Sequence, residues 1–313
     1  MPVDPTLAAL LAEMPPLVNS EDPADAAIIR AAYSERMDPA VLDEFRSPVA
    51  EVRDRTVRAE GREIPVRIYR PGIDVPHNTL VFYHGGGWVI GDLETHDLAC
   101  RQLCNELGAT VLAVDYRLAP ENPFPAGLDD TVAATRWALS HVDELGGDPA
   151  RLAIGGDSAG GNFAAVVAQE LRTERIAAQL LIYPATDSSK RYPSADAYAD
   201  GYLLDSASMR LFESSYFVDP SMPTDPRVSP LLAVDLSGLP PAVVITAEFD
   251  PIGDQGNAYA EALAKAGNTV LHKQFPALTH GFVNFGPFVP AADDAIKQTI
   301  AMLQELLNAE GAA

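Results

Sequence analysis

The sequence predicts an α/β fold, a mostly parallel central sheet with helices on both faces and a helical cap. Three observations predict it. Short apolar runs bounded by turn signals recur between residues 80 and 275, and most are followed by a longer stretch with helical periodicity, the alternation that builds a covered parallel sheet. Hydrophobic residues make up 47% of the chain and charged residues 21%, which allows a large core and argues against global disorder. No internal repeat or low-complexity linker divides the 313 residues, a length that α/β folds often occupy as one domain.

The elements follow in order. Leu7 to Met14 is an apolar helix stopped by Pro15-Pro16, and Ala24 to Met37 is a second, started by Asp22-Pro23. Val52 to Tyr69 alternates around Glu60-Gly61-Arg62, which predicts a hairpin. Leu80 to Tyr83 is the first buried strand and ends at a glycine cluster. Helix is predicted from Glu94 to Leu107, strand from Thr110 to Asp115, helix from Leu128 to Leu145 and strand from Leu152 to Ile154. Ser158 to Thr173 is helix, Gln179 to Tyr183 strand, Ala242 to Thr246 strand, and helix then runs to Ala266. Thr269 to Phe275 is the last strand and Ala291 to Asn308 the last helix. Residues 186–230 break the rhythm with Pro, Ser, Tyr and Asp around one helical piece, Ser206 to Tyr216. A long insertion after a strand is where a lid sits. Residues 1–46 are therefore expected to be an N-terminal helical cap segment, and 47–313 a catalytic domain carrying a cap insertion at about 186–230.

Charge and cysteine content exclude several classes. The formal net charge is −22, whereas nucleic acids and anionic membranes are bound through clustered Lys and Arg. Cys100 and Cys104, the two cysteines, lie four apart in a predicted helix and read as buried thiols. They do not make a metal set. The chain opens without a basic, apolar leader and has no run of about 18 apolar residues, so a cytoplasmic location is expected.

The chemistry is carried by a few motifs. Gly156-Asp157-Ser158-Ala159-Gly160 fits G-x-S-x-G, in which Ser stands on a sharp strand-to-helix turn with its hydroxyl exposed. About 0.1 chance matches are expected in a chain this long, so the flanking apolar strand and Ala-rich helix matter. His84-Gly85-Gly86-Gly87-Trp88 ends a predicted strand, and bare glycine amides there suit an oxyanion. Gly86, Gly87 and Ala159 are the expected donors, with Gly85 shaping the turn and His84 structural. The base comes last in this order of motifs, after nucleophile and acid. Only His272 and His280 follow Ser158. His272 alternates within a strand and reads as solvated, which leaves His280 in the loop beyond. Glu248 and Asp250 both follow the strand before it. Asp250, further into the loop, is the expected acid, with Glu248 in a supporting role and Asp254 a helix N-terminal charge. Trp88, Tyr183, Leu204, Phe212 and Phe282 are candidates for the substrate pocket.

Together these residues resemble the hormone-sensitive-lipase-like family of bacterial carboxylesterases, with the α/β-hydrolase fold. The likeness covers residue 80 to the C-terminus. It rests on the two motifs above and on Asp115-Tyr116-Arg117-Leu118-Ala119-Pro120-Glu121, Phe124-Pro125-Ala126, Gly201-Tyr202-Leu203-Leu204, Asp250-Pro251 and His280-Gly281-Phe282. Asn122 and Gly253 depart from residues common in the family, His and Arg, without touching the triad. The resemblance implies hydrolysis of small-molecule esters with short to medium acyl chains, without cofactor or metal, and a homodimer through an edge strand. The competing readings are a non-catalytic ligand-binding protein on the same fold, as in plant hormone receptors that lack the histidine, and a lipase or amidase variant of the same chemistry.

Overall fold

A computed structural model of the protein describes residues 2–36, 42–73 and 76–310. Among these residues eight strands form one sheet in the order β1-β2-β4-β3-β5-β6-β7-β8. The hairpin β1 (Glu51–Ala59) and β2 (Arg62–Arg70) is antiparallel and closes at Glu60-Gly61, with Ala59 opposite Arg62. Strand β2 also runs antiparallel to β4 (Ala109–Val114). The remaining pairs, β4 with β3 (His77–Tyr83), β3 with β5 (Gly147–Asp157), then β6 (Ala178–Ile182), β7 (Ala242–Phe249) and β8 (Val270–Thr279), are parallel.

Strand residues point alternately to the two faces, and the core divides accordingly. Val81, Tyr83, Leu112, Ile154 and Leu181 join one cluster, covered by α4 (Ala126–Ser140), α5 (Ala159–Glu170) and α8 (Gly253–Lys265). Leu80, Phe82, Val111, Ala153 and Leu180 join the other, covered by α3 (Asp97–Leu107) and α9 (Pro290–Glu310). A strand buried on both faces has no polar alternation to display, which is why these strands read as apolar runs. Cys100 and Cys104 are free and buried on α3.

Helix α1 (Pro5–Glu13) buries Leu7 and is held by the Asp4 amide donating to Ala277 O at 2.8 Å. Asp22 caps a short 3₁₀ turn, Pro23–Asp25, that leads into α2 (Ala26–Arg36). Met37, expected to end that helix, lies outside the described residues. Residues 186–230 hold α6 (Pro193–Ala197), which sequence periodicity did not predict, and α7 (Ser206–Tyr216), which it did. Other boundaries differ in detail. Helix α4 stops at Ser140, because residues 141–146 form turns, and β5 begins at Gly147 rather than Leu152. Strand β8 runs through Pro276 to Thr279, an edge position that tolerates proline. Among the described residues no helix is long and apolar enough to cross a membrane.

Candidate active site

Ser158 follows β5, which lies between β3 and β6 near the middle of the sheet, and precedes α5 rather than starting it as the helical pattern predicts. Its backbone sits at φ 55, ψ −116, an unfavourable region for a residue with a Cβ. The surroundings impose it. The Ser158 amide donates to Ile182 O at 2.9 Å, and Ser158 O accepts from Asn162 N at 2.9 Å. The flanking glycines have a steric reason. A Cβ on Gly156 would strike Tyr83 O and the Gly160 backbone, and one on Gly160 would strike Tyr83 O and His84 O. The elbow therefore packs its helix directly on the end of β3.

His280 Nε2 lies 2.9 Å from Ser158 Oγ, and His280 Nδ1 lies 2.8 Å from Asp250 Oδ2. Asp250 is fully buried, and its other oxygen accepts from Ile252 N at 2.8 Å. Both residues follow the carboxyl ends of strands, β7 and β8. Glu248 faces elsewhere, accepting from Ala277 N at 2.9 Å. Asp254 lies in the first turn of α8 and accepts from Ser194 N at 2.9 Å. His272 is solvent-exposed and bonds Asn257 Oδ1 at 3.0 Å.

The glycine loop after β3 turns tightly, with Val89 N and Ile90 N both donating to Gly86 O at 3.0 and 2.9 Å. Gly86 and Gly87 take φ values of 117 and 57, conformations that favour glycine. A Cβ on Gly87 would enter the ring of Phe212 from α7. Among the described residues the amides of Gly86, Gly87 and Ala159 have no protein acceptor. Arg30 of α2 braces this loop from outside. Its guanidinium donates to Val89 O at 2.9 Å and Ala119 O at 3.1 Å while pairing with Glu121.

Sequence reasoning gave Asp157 no role, yet it is a buried hub. Its Oδ1 accepts the Gly85 amide at 2.9 Å and lies 3.3 Å from His96 Nε2; its Oδ2 accepts the Tyr183 hydroxyl at 3.4 Å. Tyr183 in turn accepts from Val283 N at 3.4 Å, just beyond His280. Burial disfavours the charge on Asp157, but His96, His84 and the Gly85 amide outweigh it and hold the carboxyl below its usual range. His84, expected to be structural, is buried beside this hub. Burial, then the neighbouring His96, lower it to about 4, and its ring stacks on Tyr116 at 4.2 Å.

Two lobes meet at Ser158. One is lined by His280, Gly86, Met14, Leu17, Tyr33, Leu203 and Phe285, with His96 and Asp157 in its floor. The other is lined by Trp88, Ala159, Ala185, Met209, Ile252 and Gln255. Leu204 and Phe212 border both, and Trp88 lines the second while stacking on Tyr216 at 4.4 Å. Tyr183 and Phe282 are corrections. Both are 1% exposed, Tyr183 lying under the His280 ring at 4.6 Å and Phe282 packing on Tyr183 and Phe275. Their place near strand ends fixes proximity to the site, while the side chains turn into the core. Met14, Leu17 and Tyr33 carry no motif, and only the fold brings them here.

A family model described as alpha/beta hydrolase fold matches residues 80–284. The chain is 41% identical over 317 residues to Carboxylesterase NlhH of Mycobacterium tuberculosis, covering 98% of this chain and 97% of that protein. It is 46% identical over 243 residues to Carboxylic ester hydrolase LipN of the same organism, covering 75% of this chain and 65% of LipN's length. The hyperthermophilic esterase from the archaeon Pyrobaculum calidifontis superposes with a TM-score of 0.91 at 37% identity, over 97% of this chain and 99% of that one. With its sheet order, its elbow and these likenesses together, the chain belongs to the α/β-hydrolase-fold family, among the bacterial carboxylesterases.

Proposed function

We propose that the chain is a serine carboxylesterase in which Ser158, His280 and Asp250 form the triad and the amides of Gly86, Gly87 and Ala159 form the oxyanion hole. The observation that carries this reading is the unbroken hydrogen-bonded line from Ser158 Oγ through His280 to Asp250, at 2.9 and 2.8 Å. His280 takes the hydroxyl proton as Oγ attacks the ester carbonyl. The three amides hold the oxyanion. His280 then gives the proton to the departing alcohol. Water, deprotonated by the same imidazole, cleaves the acyl-enzyme and frees the acid. Asp250 orients the ring and stabilises the imidazolium. Every proton moved stays within the chain's own groups, substrate and water.

Short to medium acyl chains fit the lobes. Their cavity volumes are ≈ 80 and ≈ 70 Å³, each room for a handful of waters. The second lobe opens past Gln255 and Glu213 into a polar groove that would desolvate poorly against a long alkyl chain. Residues 1–46 and 186–230 are proposed as one cap, since Met14, Leu17 and Tyr33 from the first and Leu203, Leu204 and Phe212 from the second line the site. A homodimer through an edge strand and a cytoplasmic location are further proposals; the first rests on the resemblance alone.

Ser158→Ala tests the core of this reading. It lowers kcat on nitrophenyl esters by roughly 10⁵- to 10⁶-fold and abolishes labelling by a fluorophosphonate probe. A variant that keeps near wild-type turnover, or a wild type that resists the probe, sinks it. A nitrophenyl ester panel peaking at long chains removes the acyl-length proposal alone.

A further inference from the structure

We propose that the lobe opposite His280 receives the acyl chain and ends in a hydroxyl-recognising pole made by Gln255, Glu213 and Ser188, so that the enzyme prefers esters whose acyl group carries a hydroxyl near its far end. The inference rests on the esterase reading above.

The assignment of lobes follows from proton transfer. The leaving alcohol must lie beside the group that protonates it, His280 Nε2. The lobe lined by His280 therefore takes the alcohol. The acyl chain turns the other way, over Gly87 and Ala159 and between Trp88, Leu204 and Phe212. Those walls are apolar, but the far end is not.

Gln255 sits there in a fixed orientation. Its Oε1 accepts two backbone amides, Thr186 N at 3.0 Å and Asp187 N at 3.1 Å. Both acceptor positions on that oxygen are taken, which settles which end is oxygen and leaves two N–H donors on Nε2. Among the described residues those donors have no acceptor, and Gln255 lines the lobe. Glu213 on α7 lines the same lobe and the groove beyond it, and its carboxylate has no hydrogen-bond or ion-pair partner among the described residues, with Arg191 acting on it through space alone. Ser188 is pinned by its amide donating to Ser229 Oγ at 2.8 Å, and its own hydroxyl is unengaged among the described residues.

The pole thus offers donors from one side and an anionic acceptor from the other. An alkyl end satisfies neither and strips them of water. A carboxylate end meets Glu213 with like charge. An ammonium end has nothing to accept the Gln255 protons. A hydroxyl accepts from Nε2 and donates to Glu213 at once. Sites built to pair a substrate hydroxyl discriminate against the analogue without it, because the site's own groups are otherwise left unpaired.

The test compares kcat/KM, followed by acid release at constant pH, for methyl alkanoates and methyl ω-hydroxyalkanoates of four to eight carbons. The small methanol leaving group keeps the alcohol lobe out of the comparison. At one or two adjacent lengths the hydroxy ester is expected to exceed its alkyl partner by about tenfold. That ratio should fall towards one in Gln255→Leu and in Glu213→Leu. Because it is a ratio within one preparation, it does not depend on how much of a variant is folded. Equal rates for both series at every length overturn the proposal, as does a preference that survives both substitutions. If the wild type hydrolyses neither series and also resists the fluorophosphonate probe, the esterase reading itself has failed. If the alkyl series is hydrolysed without any hydroxyl preference, only the pole is lost.

Discussion

Asp250 and Glu248 lie two residues apart on the same strand end, and only Asp250 reaches the imidazole. The sequence placed both beyond an apolar strand and favoured Asp250 as the one further into the loop; which side chain faces His280 depends on where β7 stops. It stops at Phe249, so Asp250 is the first residue free to turn inward. Asp250→Asn is expected to lower kcat by about 10⁴-fold by favouring the wrong imidazole tautomer, while Glu248→Gln stays within about threefold of wild type; reversed effects in steady-state kinetics would reassign the acid. Asp157 makes a different prediction. It ties the Gly85 amide, His96 and Tyr183 together, so its proposed part is to position the oxyanion loop from within the lining of the site. Asp157→Asn should lower kcat by about 10- to 100-fold, short of losing a donor outright, and leave KM nearly unchanged. A change confined to KM would contradict a positioning role. The second residue of G-x-S-x-G gives no local sign of this duty, since its partners lie 72 and 61 residues before it and 26 after it in the chain.

Two strand ends carry titratable groups of opposite effect, one buried and one half-buried. His84, past β3, is held near 4, so it stays neutral in the fold. The stability this contributes is complete above about 6.5 and is lost as pH falls towards 4. Asp115, past β4, is raised to about 6 by burial, then by Asp92, with Arg67 opposing. Its charge costs stability at neutral pH, and that cost vanishes as pH falls from about 6 to 3.8. The two trends offset each other in mild acid. Asp115→Asn should therefore raise Tm at pH 8 by a few degrees, corresponding to about 1–2 kcal/mol once partial exposure is discounted. It should also steepen the fall of Tm between pH 6.5 and 4.5, where His84 is left uncompensated; a calorimetric series across that range checks both parts. The glycine loop is the other element with a clear vulnerability. Gly87→Ala sets a Cβ against Phe212 at a positive φ, so a loss of about 10²-fold or more in kcat is expected. Strands and helices of the sheet were legible because buried runs and amphipathic stripes repeat with fixed periods. Residues 186–230 were legible only as an interruption. Helix α6 spans five residues, too few to show a period, and is set by contacts with α8 that no local pattern reveals.

At the scale of the whole molecule, the reach of sequence reasoning follows from topology. A parallel sheet gathers its functional loops at one end, so motifs that follow strands could be assembled on paper. The N-terminal contribution could not, because Met14, Leu17 and Tyr33 arrive by packing across the sheet's end rather than along it. The proposed homodimer is settled by sedimentation equilibrium, where a species at the 33.4 kDa chain mass rejects it. The sheet order has one more consequence. The proposed nucleophile and base stand on strands of unequal security. Strand β5 is held between β3 and β6, whereas among the described residues β8, which presents His280, has one strand neighbour, β7, and a single amide from Asp4 beyond it. Edge elements open at lower free energy than central ones. The imidazole is then the first part of the machinery to leave as the chain loosens, and the last to arrive as it folds. In a urea titration, esterase activity should fade before far-ultraviolet ellipticity does, and in refolding it should return after it.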